Sequence, residues 1–300
     1  MTTPAADAIV CRRLTRDYGA THALDGLSLT VRRGEVFGFL GSNGAGKTTT
    51  IRCLLDLIRP TSGSATVLGL DSHRDSVEVR RLTGYLPGDL RLYPRLSARQ
   101  LCEYLGRLRG GVPHRRIAEL ADRLDCDLDQ RCGSMSHGQR QKVGVIQAMM
   151  HDPGLLVLDE PTASLDPLMQ RCVHELLREA GERGVTVFLS SHDLTEVARV
   201  CDRAGILRRG RLVAIEDVSA LAREGRRVVS IEFAGTVPPA TFSALPGVAS
   251  VTSEDHTLTL EVAGDLDPVI KAAAEHTVRT IRSTEMELDE IFRDYYNASD

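Results

Sequence analysis

The run Gly41-Ser42-Asn43-Gly44-Ala45-Gly46-Lys47-Thr48 fits the spacing GxxxxGK[ST]. Glycines placed this way let backbone N–H groups turn inward around phosphate oxygens, and the positive end of a following helix adds to the attraction. Lys47 is long enough to reach β- and γ-phosphates, and the Thr48 hydroxyl is a ligand for Mg²⁺. A second stretch, "LLVLDE" over 155–160, is an apolar run ending in two carboxylates. Asp159 can hold Mg²⁺ through water, and Glu160 can polarise or deprotonate an attacking water. Each stretch needs the other: a phosphate cradle without acids only binds, and acids without a cradle have nothing to act on.

Such side chains must be held by rigid elements. "AIVCRRL", "LDGLSLTV" and "EVFGFL" read as strands within residues 8–40, and "TTTIRCLLDLI" after the glycine loop has helical spacing. "SATVLGL" reads as a strand, residues 97–125 and 138–151 as helices, "LLVLD" as a buried strand and 167–181 as an amphipathic helix. "VTVFLSS" is a second buried strand, followed by "DLTEVARVC" as a helix. Strands alternating with helices imply a mainly parallel sheet in an α/β fold, with the acids at the carboxyl edge where ligands bind. The pattern changes near 216–227. Beyond it "VVSIEFAG", "PATFSAL", "VASVT", "TLTLEVAG", "DPVIKAAAEH" and "TVRTIRS" read β-α-β-β-α-β, the order of a small ferredoxin-like domain, followed by a helix in "ELDEIFRDYY".

Composition bounds the rest. The 300 residues suffice for two domains. A net charge of −4 argues against a nucleic-acid-binding surface, so no nucleic-acid partner is expected. Lysine occurs only at 47, 142 and 271, so arginine carries nearly all the basic charge. The seven cysteines form no CxxC pair and "MTTPAADA" is a polar start without a signal-peptide pattern, so reduced thiols in a cytoplasmic protein are expected. The uncharged stretch 235–253 carries three prolines, and no stretch is long and apolar enough for a membrane helix.

Three further stretches stand in order around the acidic strand: "SMSHGQRQK" (134–142), "PTASLDP" (161–167) and "SSHDL" (190–194). With the glycine loop, this arrangement over residues 8–222 resembles the ATP-binding subunits of ABC transporters. Asn occurs only at 43 and 297, so a guanine-reading NKxD motif is absent and ATP is the expected nucleotide, with Mg²⁺. The resemblance implies a P-loop ABC ATPase core over 1–222, with a RecA-like parallel sheet, an antiparallel β subdomain and a helical subdomain, ahead of the small α+β domain at 223–300. It also implies two such subunits clamping two ATP molecules head to tail, most simply a homodimer. Thr49 joins the loop residues at the nucleotide, and Ser136, Gly138 and Gln139 belong to a signature loop that caps the γ-phosphate of the opposite subunit. Asp166 lies in a loop between the two sites, His192 contacts the γ-phosphate and Tyr18 stacks on adenine.

Two positions depart from the family pattern. His137 replaces a glycine of the signature, where a positive φ would be less comfortable. Gly88, in "GYLPGDLRLYP", stands where a glutamine usually meets Mg²⁺ and the lytic water; Asp89 or water is expected to fill that gap. That loop, the "SHGQ" signature and the terminal "LDEIFRDYY" are similar to the branch of multidrug and antibiotic exporters. A transmembrane permease subunit is then implied, with this chain peripheral on the inner face of the membrane. An importer subunit, or a soluble non-transport ATPase, is the alternative.

Overall fold

The computed structural model describes residues 7–218 and 226–285. The chain divides into two units, Met1–Ile215 and Glu216–Asp300. The first runs β1 (Ile9–Tyr18), β2 (Thr21–Val31), β3 (Val36–Leu40), α1 (Lys47–Leu54), β4 (Ser62–Val67), β5 (Leu70–Asp71), α2 (Ser76–Leu82) and β6 (Thr83–Leu86). It continues through α3 (Ala98–Leu108), α4 (His114–Arg123), α5 (His137–Met149), β7 (Leu155–Asp159), α6 (Pro167–Glu182), β8 (Thr186–Ser191), α7 (Leu194–Val200), β9 (Arg203–Arg208) and β10 (Arg211–Asp217).

The uninterrupted apolar runs form the middle of a sheet. β3, β7 and β8 are buried at every position, as strands covered by helices on both faces must be. The order is β10-β9-β3-β8-β7-β6, and β9, β3, β8, β7 and β6 pair in parallel. Register then decides the site. Leu40 pairs with Ser191 and Asp159 with Ser190, so the carboxyl ends of β3, β8 and β7 finish level and side by side. A second, antiparallel sheet, β2-β1-β4-β5, shares its core with the first: Leu14, Leu27 and Val67 pack in one cluster with Phe37, Phe39 and Phe188.

The helix expected over 97–125 is two helices. Gly110 (φ 91°) and Gly111 (φ 112°) take left-handed conformations after α3, and Pro113 precedes α4. "SATVLGL" is likewise split, with Leu68 and Gly69 both at positive φ between β4 and β5. α2, β6 and the pair β9 and β10 are additional elements. Arg209 (φ 46°) and Gly210 (φ 77°) join the last two in the geometry of a tight hairpin turn.

The second unit runs β11 (Arg226–Phe233), α8 (Ala240–Ser243), β12 (Val248–Glu254), β13 (Thr257–Ala263), α9 (Asp267–Ala274) and β14 (Val278–Glu285). Its antiparallel order β12-β13-β11-β14 is the ferredoxin-like arrangement. Period-two alternation builds its core: Val229, Ile231 and Phe233 with Leu258, Leu260 and Val262 form one face, packed against Phe242, Val269 and Ala273. The helix expected in "ELDEIFRDYY" lies outside the described residues.

All seven cysteines are free thiols, and burial pushes Cys11 and Cys102 up to about 12. His151, just beyond α5, is half-buried, with both ring nitrogens hidden from solvent and without a hydrogen-bond partner. Burial, helped by the nearby Arg109 guanidinium and opposed by the Thr83 backbone, lowers its pKa from 6.5 to about 4. A depressed folded-state pKa gives stability that is present above 6.5 and lost as the pH falls toward 4. Urea unfolding should therefore show about 1–2 kcal/mol less stability at pH 5 than at pH 7 from this residue, after allowing for solvent screening. His151→Gln should flatten that acid limb; an unchanged limb would show that His151 is not its source.

Candidate nucleotide site

The glycine loop leaves β3 and turns into α1. Gly44 (φ 81°) and Gly46 (φ 113°) adopt conformations that favour glycine, and a Cβ on Gly46 would lie 2.6 Å from the Ala23 carbonyl oxygen. Lys47, only 6% exposed, donates to the Gly41 carbonyl at 2.5 Å. Its ammonium is also 3.4 Å from Glu160 Oε1. A cavity of about 310 Å³ opens over the loop. Ser42, Asn43, Gly44, Gly46, Lys47, Thr48 and Thr49 line it, with Ala23, Gly88, Asp159, Glu160 and Ala163. A larger cleft, about 560 Å³, beside Arg116 and Arg183 contains none of the candidate residues, and its Arg116 is already 3.3 Å from Asp152.

The two carboxylates at the end of β7 have different surroundings. Asp159 is 1% exposed; its Oδ2 accepts from Thr48 Oγ1 at 2.7 Å and its Oδ1 from Ser190 Oγ at 2.5 Å. Thr48 and Asp159 thus converge as hard oxygen donors, the type Mg²⁺ takes. Glu160 has left the strand at φ 54°, an uncommon conformation for a non-glycine residue. Three bonds hold it there: its N–H donates to both Ser190 O and Ser190 Oγ at 3.2 Å, and its carbonyl accepts from Gln141 Nε2 at 3.0 Å. The turn aims Oε2 at His192 Nδ1, 2.8 Å away. An ionised carboxylate only accepts, so Nδ1 carries the proton in this contact. Oε1 is buried with no hydrogen-bond partner and faces the lysine.

Several predicted residues lie elsewhere. Gly41 and Ala45 are buried within the loop and do not line the cavity. Tyr18 ends β1, 45% exposed, with the Arg16 guanidinium 4.7 Å over its ring, outside the cavity lining. Ser136 caps α5 and forms a reciprocal box with Gln139, the backbone N–H of each bonding the other's side chain. Gly138 passes so close to the loop after β7 that a Cβ would lie 2.7 Å from Ser164 O. Asp166 caps α6 through the N–H groups of Leu168 and Met169. None of these four lines the cavity, and Ser136, Gln139 and Asp166 are exposed.

His137 is the first residue of α5 and is not at positive φ, so the expected strain is absent: the helical start suits any side chain. Asp89 does not fill the place beside Gly88; its carboxylate pairs with Arg91 at 3.1 Å on the surface. Gly88 lines the cavity beside Asp159, and a Cβ there would lie 3.1 Å from Oδ2. Ser190 and Gln141 are site residues the sequence reading missed. Gln141 shows a readable signal, a polar residue on the same helical face as the buried Val145 and Ala148.

The sequence profile of a family described as "ABC transporter" matches residues 24–163. The bacitracin transport ATP-binding protein BcrA of Bacillus licheniformis is 36% identical over 225 residues, covering 73% of this chain and 72% of the relative. The Nod factor export ATP-binding protein I of Rhizobium sp. (strain N33) is 35% identical over 258 residues, covering 84% of each. Among solved structures, an ATP-binding subunit of an ABC transporter superposes with a TM-score of 0.65 at 29% identity, covering 72% of this chain and 92% of the other.

In Gly88→Ala the new methyl crowds Asp159 Oδ2, so the Mg²⁺ concentration that half-saturates nucleotide turnover should rise by up to about tenfold. A Mg²⁺ titration identical to wild type would show that Asp159 tolerates a neighbour and that Gly88 has no part in the cation site.

Proposed function

The chain belongs to the ABC transporter family, as one of its ATP-binding proteins, and from that premise we propose that it hydrolyses ATP to drive export through a separate transmembrane permease subunit. Among the described residues no helix is long and apolar enough to cross a membrane. In this reading the chain is a peripheral, cytoplasmic subunit working on a membrane partner. Export is supported by a relative named for Nod factor export, and transport by one named for bacitracin transport. Residues 1–222 form the ATP-binding domain in this reading and 223–300 an appended small domain.

One observation carries the proposal. Lys47, Thr48, Asp159 and Glu160 line one cavity and His192 is bonded to Glu160 at its edge, while Ser136, Gly138, Gln139 and Asp166 stand outside the cavity they were expected to serve. His192 is 61% exposed although it is bonded to Glu160. A site with its base, its lysine and its phosphate cradle in place, yet open on one side, is supported best as half of a composite site. A second copy supplies the other half: its Ser136 hydroxyl and the N–H groups at the start of its α5 offer the anion-binding end of a helix.

In the reaction, loop N–H groups from 42–48 hold the phosphates, Tyr18 supports the adenine and Lys47 exchanges its carbonyl partner for a phosphate oxygen. Thr48 and Asp159 would hold Mg²⁺, which neutralises phosphate charge when bound. Glu160 accepts the proton of the attacking water at Oε1, the oxygen without a hydrogen bond, once Lys47 has turned to phosphate, while His192 fixes Oε2. Closure of two copies lasts while the γ-phosphate is shared, because nucleotide shifts the equilibrium only by its differential affinity for the closed form.

Glu160→Gln should lower turnover by about 10²–10⁴-fold, the usual contribution of a general base, and hold an ATP-dependent dimer in size-exclusion chromatography. A monomer that hydrolyses at the wild-type rate would overturn both the role of Glu160 and the composite site.

A further inference from the structure

The ladder joining β7 and β8 ends at the Asp159–Ser190 pair. Beyond that pair each strand releases a loop, one leading from Glu160 to Asp166 and the other carrying His192. A side chain on neither loop joins them. Glu196, on α7, is 6% exposed; its Oε1 accepts from Thr162 Oγ1 at 2.6 Å and its Oε2 from Ser191 Oγ at 2.5 Å. Thr162 is two residues beyond Glu160, and Ser191 immediately precedes His192. With the Glu160–His192 bond at 2.8 Å, the two loops and the Glu196 carboxylate close a ring. His174, from α6, adds its Nε2 at 3.5 Å from Oε1 and has no other partner there. Thr162, Ser191, Glu196 and His174 are all buried.

A buried carboxylate is an expensive way to fill space, since an apolar side chain of similar length would pack there without desolvating a charge. What the carboxylate provides is two acceptors in a fixed fork, one for each loop. On the reading of Glu160 and His192 given above, we propose that Glu196 is a positioning residue for ATP hydrolysis, its two oxygens clamping the loops after β7 and β8 so that His192 stays bonded to Glu160. The clamp reaches neither nucleotide nor metal; it acts through Thr162 and Ser191. The same bond to Thr162 also ties the start of the Asp166 loop to α7.

Glu196→Gln keeps the shape but replaces one acceptor with a donor, so one hydroxyl must accept where it now donates and its own proton has to turn away from the fork. In the full-length chain we expect kcat to fall about 10–100-fold, the scale of a misplacement near 1 Å, with KM for ATP and the melting temperature close to wild type. The deciding measurement is a double-mutant cycle with His192→Ala. If Glu196 acts through the Glu160–His192 contact, the double variant turns over no more than about twofold slower than His192→Ala alone. Losses that multiply, or a wild-type kcat in Glu196→Gln, would overturn the clamp. Should Glu196→Gln fail to fold, Ser191→Ala and Thr162→Val each remove one arm of the same ring. They must then show the kcat loss and the same non-additivity, and their failure to do so overturns it equally. Glu160→Gln serves as the control for the premise: if it keeps the wild-type rate, the assignment of Glu160 fails and takes the clamp with it. If Glu160→Gln abolishes turnover and Glu196→Gln does not reduce it, only the clamp is wrong.

Discussion

Everything at this site hangs on one buried carboxylate. Asp159 ends β7 at 1% exposure and divides its two oxygens between Thr48 on α1 and Ser190 on β8. Those bonds fasten the helix after the phosphate loop to the strand that leads to His192. A charge this deep is tolerated only because both oxygens are satisfied. The parallel register makes the arrangement possible: β3, β8 and β7 finish at the same level, so the loop, the serines and the acids meet at one edge. Remove the register and the same residues would scatter over the surface.

From that anchor the chain departs from regular geometry. Glu160 enters the left-handed region, where a non-glycine residue is held against a conformational cost of about 1–3 kcal/mol. Ser190 and Gln141 hold the turn through its backbone, and His192 and Lys47 approach its carboxylate. Glu196 repeats the device one layer back, between the loops rather than at the reacting atoms. The signature residues obey a different logic. Ser136 and Gln139 cap α5 through each other's side chains and present the helix start to solvent, as the proposed composite site requires.

Much of this was legible in the sequence because it depends on local backbone chemistry. Glycine at 44 and 46 announces a turn that other residues resist, and an apolar strand ending in Asp159-Glu160 announces a sheet edge. The ferredoxin-like unit was legible from its period-two strands. What escaped depends on contacts across the fold. Glu196 lies in an ordinary amphipathic helix, and nothing nearby in sequence shows that Thr162 would reach it. Asp89 looked like a replacement for the missing glutamine until its neighbour two residues on, Arg91, took the carboxylate. His137 looked strained only on the premise of a positive φ, which a helix start does not need. The helix over 97–125 looked continuous because its apolar spacing outweighed the two glycines at 110 and 111 that break it.

The central claim is that this chain holds only half of a working site, and the order of the reaction in protein tests it most directly. Specific ATPase activity should be followed across a hundredfold dilution of the wild-type chain at saturating MgATP. A composite site predicts that activity per chain falls as the protein is diluted, with the rate approaching second order in chain concentration. Constant activity per chain, with a species that remains monomeric in light scattering during turnover, would contradict it and place the whole catalytic apparatus within a single copy.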